Sequence, residues 1–298
     1  MCPAAMERQS ADWPPVITDE EWTRVRTALE AATDRFAILV RSVPDPNVKA
    51  TPEWSVTDVA AHVANIAGLY VSITSTDPER APETAPPGCM ADTTLDTVAE
   101  MNAADLRELT ERDPVKLADL LRERVGALLR ATAETAPDAP LPWLGGSRVP
   151  VAGLLAHLLN EILIHGRDIA RAARQPWPIP PEDAAWFLEL FFVGVTSYGP
   201  GHILEIPETG EPVRTGRLVA EFRSRFTTPV TVVVHDGRVS VERPGRKSDV
   251  RVSFDPATLN LMLFHRVGKP RAVLTGKVRI VGRRPWRLRH FFRTIRIP

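Results

Sequence analysis

The sequence predicts two domains of different class, a helical bundle followed by a small α+β domain. From residue 18 to about residue 173, apolar side chains recur at helical spacing, whereas beyond residue 215 they alternate in short segments typical of strands. A chain of 298 residues is also longer than a single hydrophobic core usually serves. The hydrophobic and charged fractions, 44% and 25%, are those of an ordinary globular protein.

The predicted bundle occupies residues 17–180, after a loose N-terminus over residues 1–16. Its helices begin where side chains suit a cap: Thr18 with Glu21, Ser55 with the acid Asp58 three residues on, and Asp113 followed by proline. Four helical segments joined by Pro-rich loops are typical of a four-helix bundle. The predicted segments run from Thr18 to before Pro44, from Ser55 to about Ser72, from about Thr93 to Thr135 with a break at Pro114, and from about Val151 to Ala173. Loops are predicted over 77–88 and 137–146.

Residues 181–298 form the predicted α+β domain. An apolar helix over 184–195 precedes a Gly/Pro-rich link, and alternating segments then predict strands. The strand segments read RLVAEF, VTVVV, VSVE, DVRVSF and GKVRIVG. His235-Asp236-Gly237 is a hairpin turn signal, and two helices are predicted, from Pro256 to Phe264 and from Pro285 to Thr294.

Composition argues against several classes of function. Basic and acidic residues balance at 37 each, so the whole molecule is not an electrostatic nucleic-acid binder. No stretch of roughly 18 uninterrupted apolar residues and no apolar signal core is present, so we expect a cytoplasmic protein without a membrane anchor. Cys2 and Cys89 are few and far apart, which indicates neither a disulfide framework nor a nucleophilic cysteine.

The helix beginning near Val151 carries the residues of most chemical interest. His157, Glu161 and His165 follow one another at four-residue steps and therefore share one stripe of the helix. A buried glutamate is costly unless it is paired or bound to a cation, and a metal would remove that cost. His62, in the middle of the helix after Ser55, is the best third ligand because bundles build metal sites from facing helices. His157 is either an alternative ligand or a bystander, and we favour the bystander.

A site made of His62, Glu161 and His165 would leave coordination positions free, as catalytic zinc sites do. Iron or nickel would also suit these ligands, so the metal stays open, with zinc expected first. The competing interpretation is that each histidine is an ordinary core or surface residue. Two neighbours have weaker roles: Asn65 either contacts substrate or completes a polar patch, and Asp168 either orients a ligand or pairs with an arginine.

The bundle resembles a known family. The segments TPEWSVTDVAAHVANIAGLY and GGSRVPVAGLLAHLLNEILIHGRDIARAARQPWPIP carry the resemblance, through a Trp ahead of the helix, a mid-helix His, a Gly-Gly loop, and Glu-x-x-x-His followed by Asp168. Over about residues 18–180 they resemble the mycothiol-dependent maleylpyruvate isomerases, within the DinB-like metal-binding four-helix bundles. The resemblance implies a metal triad of His62, Glu161 and His165. Less specifically, VSFDPATLNLML and VLTGKVRIVG resemble an SCP2-like α+β domain.

This resemblance implies a metal-dependent enzyme that activates mycothiol or a similar thiol. The thiolate, which is the nucleophile in thiol chemistry, would then either be transferred to a small electrophile or catalyse its cis–trans isomerisation by reversible addition. The alternatives are a metal-assisted hydrolase, and a non-catalytic carrier of an apolar ligand through the SCP2-like domain.

The basic C-terminal region completes the expectations. Arg284 and Arg287 belong to an Arg-rich end of the sequence. Our first interpretation of this end is a solvated surface, and our second is a contact for a substrate carboxylate. Nucleic-acid binding ranks third, because the few interleaved aromatic residues fit the apolar face of a helix. We therefore expect a small-molecule substrate, no nucleic-acid or membrane partner, and a monomer or homodimer.

Overall fold

A computed structural model describes residues 16–75, 87–200, 216–235, 238–245 and 247–283, with the backbone alone at 87–89. Several predictions fall outside these residues. They are the loose N-terminus up to residue 15, most of the link over 201–215, the Asp236-Gly237 turn and the helix from Pro285 to Thr294.

The N-terminal region is helical, as predicted. Its helices are α1 (Asp19–Ser42), α2 (Val56–Thr74), α3 (Pro87–Asp92), α4 (Val98–Glu108), α5 (Pro114–Ala131) and α6 (Val151–Ala172). The long helices α1, α2, α5 and α6 pack against one another around one apolar core, and α4 lies against α2. A four-helix bundle with short additional helices is therefore present.

Local signals in the sequence set the helix starts. Thr18 and Glu21 form a reciprocal capping box at the start of α1, and Ser55 and Asp58 form another at the start of α2. Asp113 accepts hydrogen bonds from the first backbone amides of α5, whose first residue is Pro114. The cap at Ser55 fixes the residue at which α2 begins. It therefore also fixes which side of α2 faces the core, and His62 lies on that side.

Two predicted loops of the bundle differ from the structure, and the helical region predicted from about Thr93 to Thr135 is shorter, since α4 begins at Val98 and α5 ends at Ala131. The loop expected over 137–146 contains β1 (Pro140–Pro142), which pairs with β2 (Arg148–Pro150) as a short antiparallel ribbon closed by left-handed Gly145 and Gly146. The loop expected over 77–88 was also wrong at its end, because α3 already begins at Pro87, where proline suits a first helical turn. Residues 76–86 are not described.

The second region contains the predicted sheet. A helix precedes it in three consecutive stretches, α7 (Pro181–Trp186), a π-helical stretch (Phe187–Phe192) and α8 (Val193–Tyr198). The strands are β3 (Leu218–Ser224), β4 (Thr227–His235), β5 (Arg238–Glu242), β6 (Val250–Phe254) and β7 (Val278–Gly282), with α9 (Pro256–Leu263) and α10 (Lys269–Leu274) between the last two. Their order is β5-β4-β3-β6-β7, in which β3 and β6 are parallel and the other pairs antiparallel.

The helix before the sheet belongs to both cores. Phe187 and Phe191 pack into the bundle, whereas Leu188 and Val193 pack with the sheet. Two sides of one helix thus bury apolar surface against different neighbours, which holds the sheet beside α6. The domain boundary at residue 181 stays a prediction.

Among the described helices, α2 is long and apolar enough to cross a membrane by length and composition alone. Most of that helix is buried inside the bundle. This is the character of a core helix, and it brings the polar His62 into an apolar interior.

Candidate metal centre

His62, Glu161 and His165 come together between α2 and α6, as the sequence predicted. One ligand atom from each lies within 4.8 Å of the other two, and all three side chains are buried. The Glu161 Oε2 atom lies 3.4 Å from His165 Nε2 and 3.8 Å from His62 Nε2. Glu161 and His165 share a face because they are four residues apart on α6, and His62 faces them from the middle of α2.

The electrostatics of the cluster couple its members. Burial acts to raise the pKa of Glu161, but the His165 and His62 imidazoles beside it hold that pKa well below its usual value. Burial lowers the pKa of His62. It would also lower that of His165, yet the Asp168 and Glu161 carboxylates outweigh it and raise the pKa of His165. Glu161 is therefore an anion held between two imidazoles.

These distances suit a bound cation. Two ligands that bind zinc at 2.0–2.1 Å with tetrahedral angles stand about 3.3–3.4 Å apart. The separations of 3.4 Å and 3.8 Å around Glu161 Oε2 lie near that value, and are long for direct hydrogen bonds. Two imidazole nitrogens and one carboxylate oxygen are also a donor set that zinc, iron and nickel accept. The residues present therefore fit a divalent metal.

Asp168 lies behind His165, as expected for a residue that orients a ligand. Its Oδ2 atom is 3.4 Å from His165 Nδ1, on the ring edge opposite the cluster. Arg266 donates to the same oxygen at 2.8 Å and so fixes the carboxylate. Burial acts to raise the pKa of Asp168, but His165 and Arg266 lower it. The predicted pairing of Asp168 with an arginine is thus present as well, although the partner is Arg266 and not a neighbour on α6.

His157 lies on the other side of Glu161. Its Nε2 atom is 3.7 Å from Glu161 Oε1, and its Nδ1 atom is hydrogen-bonded to the Tyr70 hydroxyl at 2.8 Å. The two carboxylate oxygens therefore face different partners, Oε2 toward His62 and His165 and Oε1 toward His157. This agrees with the interpretation of His157 as a neighbour and not a ligand.

A cavity of about 210 Å³ opens onto the cluster. Aromatic and aliphatic side chains form much of its wall, and Trp54 packs against the His62 ring with centroids 4.8 Å apart. The lining residues are Trp54, His62, Ile66, Leu69, Tyr70, Val98, Met101, Asn102, Trp143, Leu144, His157, Glu161, Ile164, His165, Phe264 and Arg266. A mostly apolar pocket with few convergent polar groups is the usual form of a small-molecule site.

The sheet region supplies one wall of this cavity. Phe264 and Arg266 follow α9, and Phe264 packs edge-on against Phe187 of the π-helical stretch. Sequence reasoning assigned a site role to neither residue, because only the tertiary packing of α9 against the bundle brings them to the cluster. A hydrophobic and a basic residue at the end of a short helix give no distinctive local signal.

Other predicted site residues lie elsewhere. Asn65 is not among the cavity-lining residues: its amide donates to the Asp105 backbone oxygen at 3.0 Å, and its side-chain oxygen accepts from Arg124. These partners favour a structural role, and a contact with substrate stays a prediction. Arg284 and Arg287 lie outside the described residues.

A helical bundle that brings two buried imidazoles and a buried carboxylate together at the wall of a cavity is a candidate metal-binding protein. Residues 19–170, just over half of the chain, match the family model described as the mycothiol maleylpyruvate isomerase N-terminal domain. The chain therefore belongs to this family.

Among the solved structures that resemble this chain are two whose matches each cover 80% of this chain and 87% of the other. One is a crystal structure of the mycothiol-dependent maleylpyruvate isomerase, 18% identical with a TM-score of 0.44. The other is a histidine-to-alanine mutant of that enzyme, 17% identical with a TM-score of 0.45. No curated protein matches the chain. The family assignment rests on the sequence model and not on these low scores.

Proposed function

We propose that this protein is a metal-dependent enzyme that uses a low-molecular-weight thiol, mycothiol or a close analogue, to isomerise a small cis-alkene substrate. The observation that carries the proposal is the buried cluster of His62, Glu161 and His165 at a cavity large enough for a small molecule. Membership of the mycothiol maleylpyruvate isomerase family supports the thiol and the isomerisation.

The three side chains would hold one divalent metal, for which zinc is the first expectation. Such a metal, when bound, supplies the positive charge that keeps a neighbouring thiol deprotonated. Two imidazoles and one carboxylate leave positions free, which a structural site would not. Asp168 supports the arrangement by facing His165 Nδ1, which favours a proton there and leaves the Nε2 lone pair toward the cluster.

Isomerisation by reversible addition needs only a sulfur nucleophile and a conjugated carbonyl. The thiolate forms a C–S bond with one alkene carbon while the π electrons move toward the carbonyl, so the former double bond can rotate. Electrons then return, the C–S bond breaks, and the double bond re-forms as trans with the thiolate regenerated. The lining around Trp54 is mostly apolar, which favours this addition over competing hydration.

Arg266 places a positive charge at the wall of the cavity. The guanidinium is fixed by Asp168 and by the Phe264 backbone oxygen, and it lies among the lining residues. A substrate that carries a carboxylate, as maleylpyruvate does, would find this cation at the wall. The charge supports an acidic substrate, as the name of the family suggests.

The test is a thiol-dependent assay with maleylpyruvate and the zinc-loaded protein. We expect conversion to the trans isomer when mycothiol is present, no conversion without thiol, and loss of activity in His165→Ala. Product analysis by NMR separates the outcomes. A stable thioether product would indicate S-transfer, hydrolysis without thiol would indicate a metal-assisted hydrolase, and neither reaction in a metal-loaded protein would contradict the proposal.

A further inference from the structure

A second polar chain reaches Glu161 from the side away from the other two histidines. The Trp143 indole Nε1 donates to the Tyr70 hydroxyl oxygen at 3.2 Å, and that hydroxyl is 2.8 Å from His157 Nδ1. His157 Nε2 then lies 3.7 Å from Glu161 Oε1. Tyr70 and Trp143 are buried, and little of the His157 side chain is exposed.

The direction of each hydrogen follows from the chemistry of its donor. An indole N–H can only donate, so the Tyr70 oxygen accepts from Trp143. The arrangement in which the Tyr70 hydroxyl also donates has its proton pointing at His157 Nδ1, which then accepts it and carries no proton itself. A neutral imidazole with a bare Nδ1 carries its hydrogen on Nε2. That hydrogen points toward Glu161 Oε1.

The His157 ring is also held by packing. Its centroid lies 4.6 Å from that of Phe191 and 5.2 Å from that of Trp143. Aromatic neighbours on two sides and a hydrogen bond at Nδ1 leave the imidazole little freedom to turn. If His157 were a fourth metal ligand, its Nε2 atom would have to lose the hydrogen. That hydrogen would then move to Nδ1, where Tyr70 already donates.

We propose that His157 is a positioning residue: its Nε2–H faces Oε1 of Glu161 across 3.7 Å, an electrostatic contact longer than a hydrogen bond, and so leaves Oε2 to the metal, with Tyr70 and Trp143 fixing the His157 tautomer. This inference rests on the metal site of the proposed function. It makes Glu161 a one-oxygen ligand and extends the metal centre to Tyr70, further along α2 than His62, and to Trp143 between β1 and β2. Residues that orient a ligand in this way typically change metal affinity by about 10- to 100-fold when replaced.

The test compares Tyr70→Phe, which removes the oxygen bonded to His157, with Tyr198→Phe, a control at the chain's other tyrosine. Metal affinity is measured by competition with a chromogenic chelator, and coordination by the visible absorption of the cobalt-substituted protein. We expect Tyr70→Phe and His157→Phe each to weaken zinc binding about tenfold and to alter the cobalt spectrum, with Tyr198→Phe unchanged. If Tyr70 acts through His157, the double variant binds zinc no more weakly than His157→Phe alone.

A second measurement needs no substitution. Nitrogen-15 NMR of the metal-free wild type reports imidazole tautomers, and we expect His157 to carry its hydrogen on Nε2. A hydrogen on Nδ1, or normal zinc affinity and cobalt spectra in both Tyr70→Phe and His157→Phe, would overturn the inference while leaving the metal site intact. A wild type that binds neither zinc nor cobalt would instead overturn the proposed function, and the positioning role with it.

Discussion

Glu161 is the residue on which the account depends. A carboxylate buried among Leu and Ile side chains of α6 would be costly without positive partners, and two histidines lie within 3.8 Å of one of its oxygens. The second oxygen faces His157. An apolar residue in its place would remove the anion that faces all three imidazoles.

At the residue scale we predict that Asp168→Asn weakens zinc binding about tenfold. The amide keeps the size of the carboxylate but loses the charge that faces His165 Nδ1, so the imidazole becomes a poorer ligand. Competition with a chromogenic chelator measures the effect. Asp183→Asn, a partly buried aspartate on α7, is the control that should leave affinity unchanged. Equal affinity in all three proteins would contradict the role given to Asp168.

The residues of the cluster could be predicted because two kinds of local information agreed. The four-residue step from Glu161 to His165 fixes their common face, and the position of His62 in the middle of a facing helix made it the best third member, which the resemblance also implied. Arg266 and Phe264 could not be predicted, because their approach to the cavity depends on how α9 docks against the bundle. That docking is set by distant contacts that leave no periodic pattern in the sequence.

The capped start of α2 fixes the position of His62 along this helix. Asp58 accepts from the Ser55 backbone amide at 2.9 Å, and Arg112 donates to its other oxygen at 2.9 Å, which ties the end of α4 to α2. Although burial acts to raise it, the Ser55 hydrogen bonds and Arg112 hold the pKa of Asp58 below its usual value. The cap is therefore stabilised by the ionised form.

At the element scale we predict that Asp58→Asn costs about 1 kcal/mol of unfolding free energy at neutral pH, mostly through the cap, since a partly exposed ion pair adds little. A lowered folded pKa means that this stabilisation is present above the unfolded pKa, about 3.9, and is lost as pH falls through the folded pKa. Urea unfolding from pH 7 down to pH 3 should show the free energies of unfolding of wild type and variant approaching each other as the pH falls. A constant difference across that range would argue against this origin, and Asp92→Asn on α3 serves as an exposed control.

Elements whose position depends on residues close in sequence could be predicted, whereas elements that depend on distant packing could not. Capping boxes and proline positions predicted the starts of α1, α2 and α5 because each depends on residues within one turn. The β1–β2 ribbon was missed because its three-residue strands end in proline and alternate too briefly to show a pattern. The π-helical stretch at Phe187–Phe192, whose side chains pack in two different cores, was also not predicted.

On the scale of the whole molecule, the bundle and the sheet region share buried contacts next to the cavity. Asn260 of α9 donates to Asn160 Oδ1 at 3.0 Å and to the Ala184 backbone oxygen at 2.9 Å, and both asparagines are buried. Asn160 precedes Glu161 on α6. The same few residues therefore join the two regions and place Phe264 and Arg266 at the cavity wall.

We predict that Asn160 and Asn260 are energetically coupled. Replacing either with Ala leaves a buried polar partner unpaired and should cost roughly 1–3 kcal/mol, while the double variant should cost clearly less than the sum. Urea unfolding of the four proteins in the cycle gives the coupling, which we expect to be about 0.5 kcal/mol or more. Asn160→Ala combined with the exposed Asn47→Ala should be additive. Strict additivity for the first pair would show that the hydrogen bond does not join the regions.

The central claim is that His62, Glu161 and His165 hold a metal, and elemental analysis of tag-free protein purified without chelator tests it most directly. We expect close to one divalent metal per chain in the wild type and a large loss in His165→Ala, with both proteins equally folded by circular dichroism. Wild-type protein that contains no metal and takes up none on dialysis against zinc, iron or nickel would contradict the account.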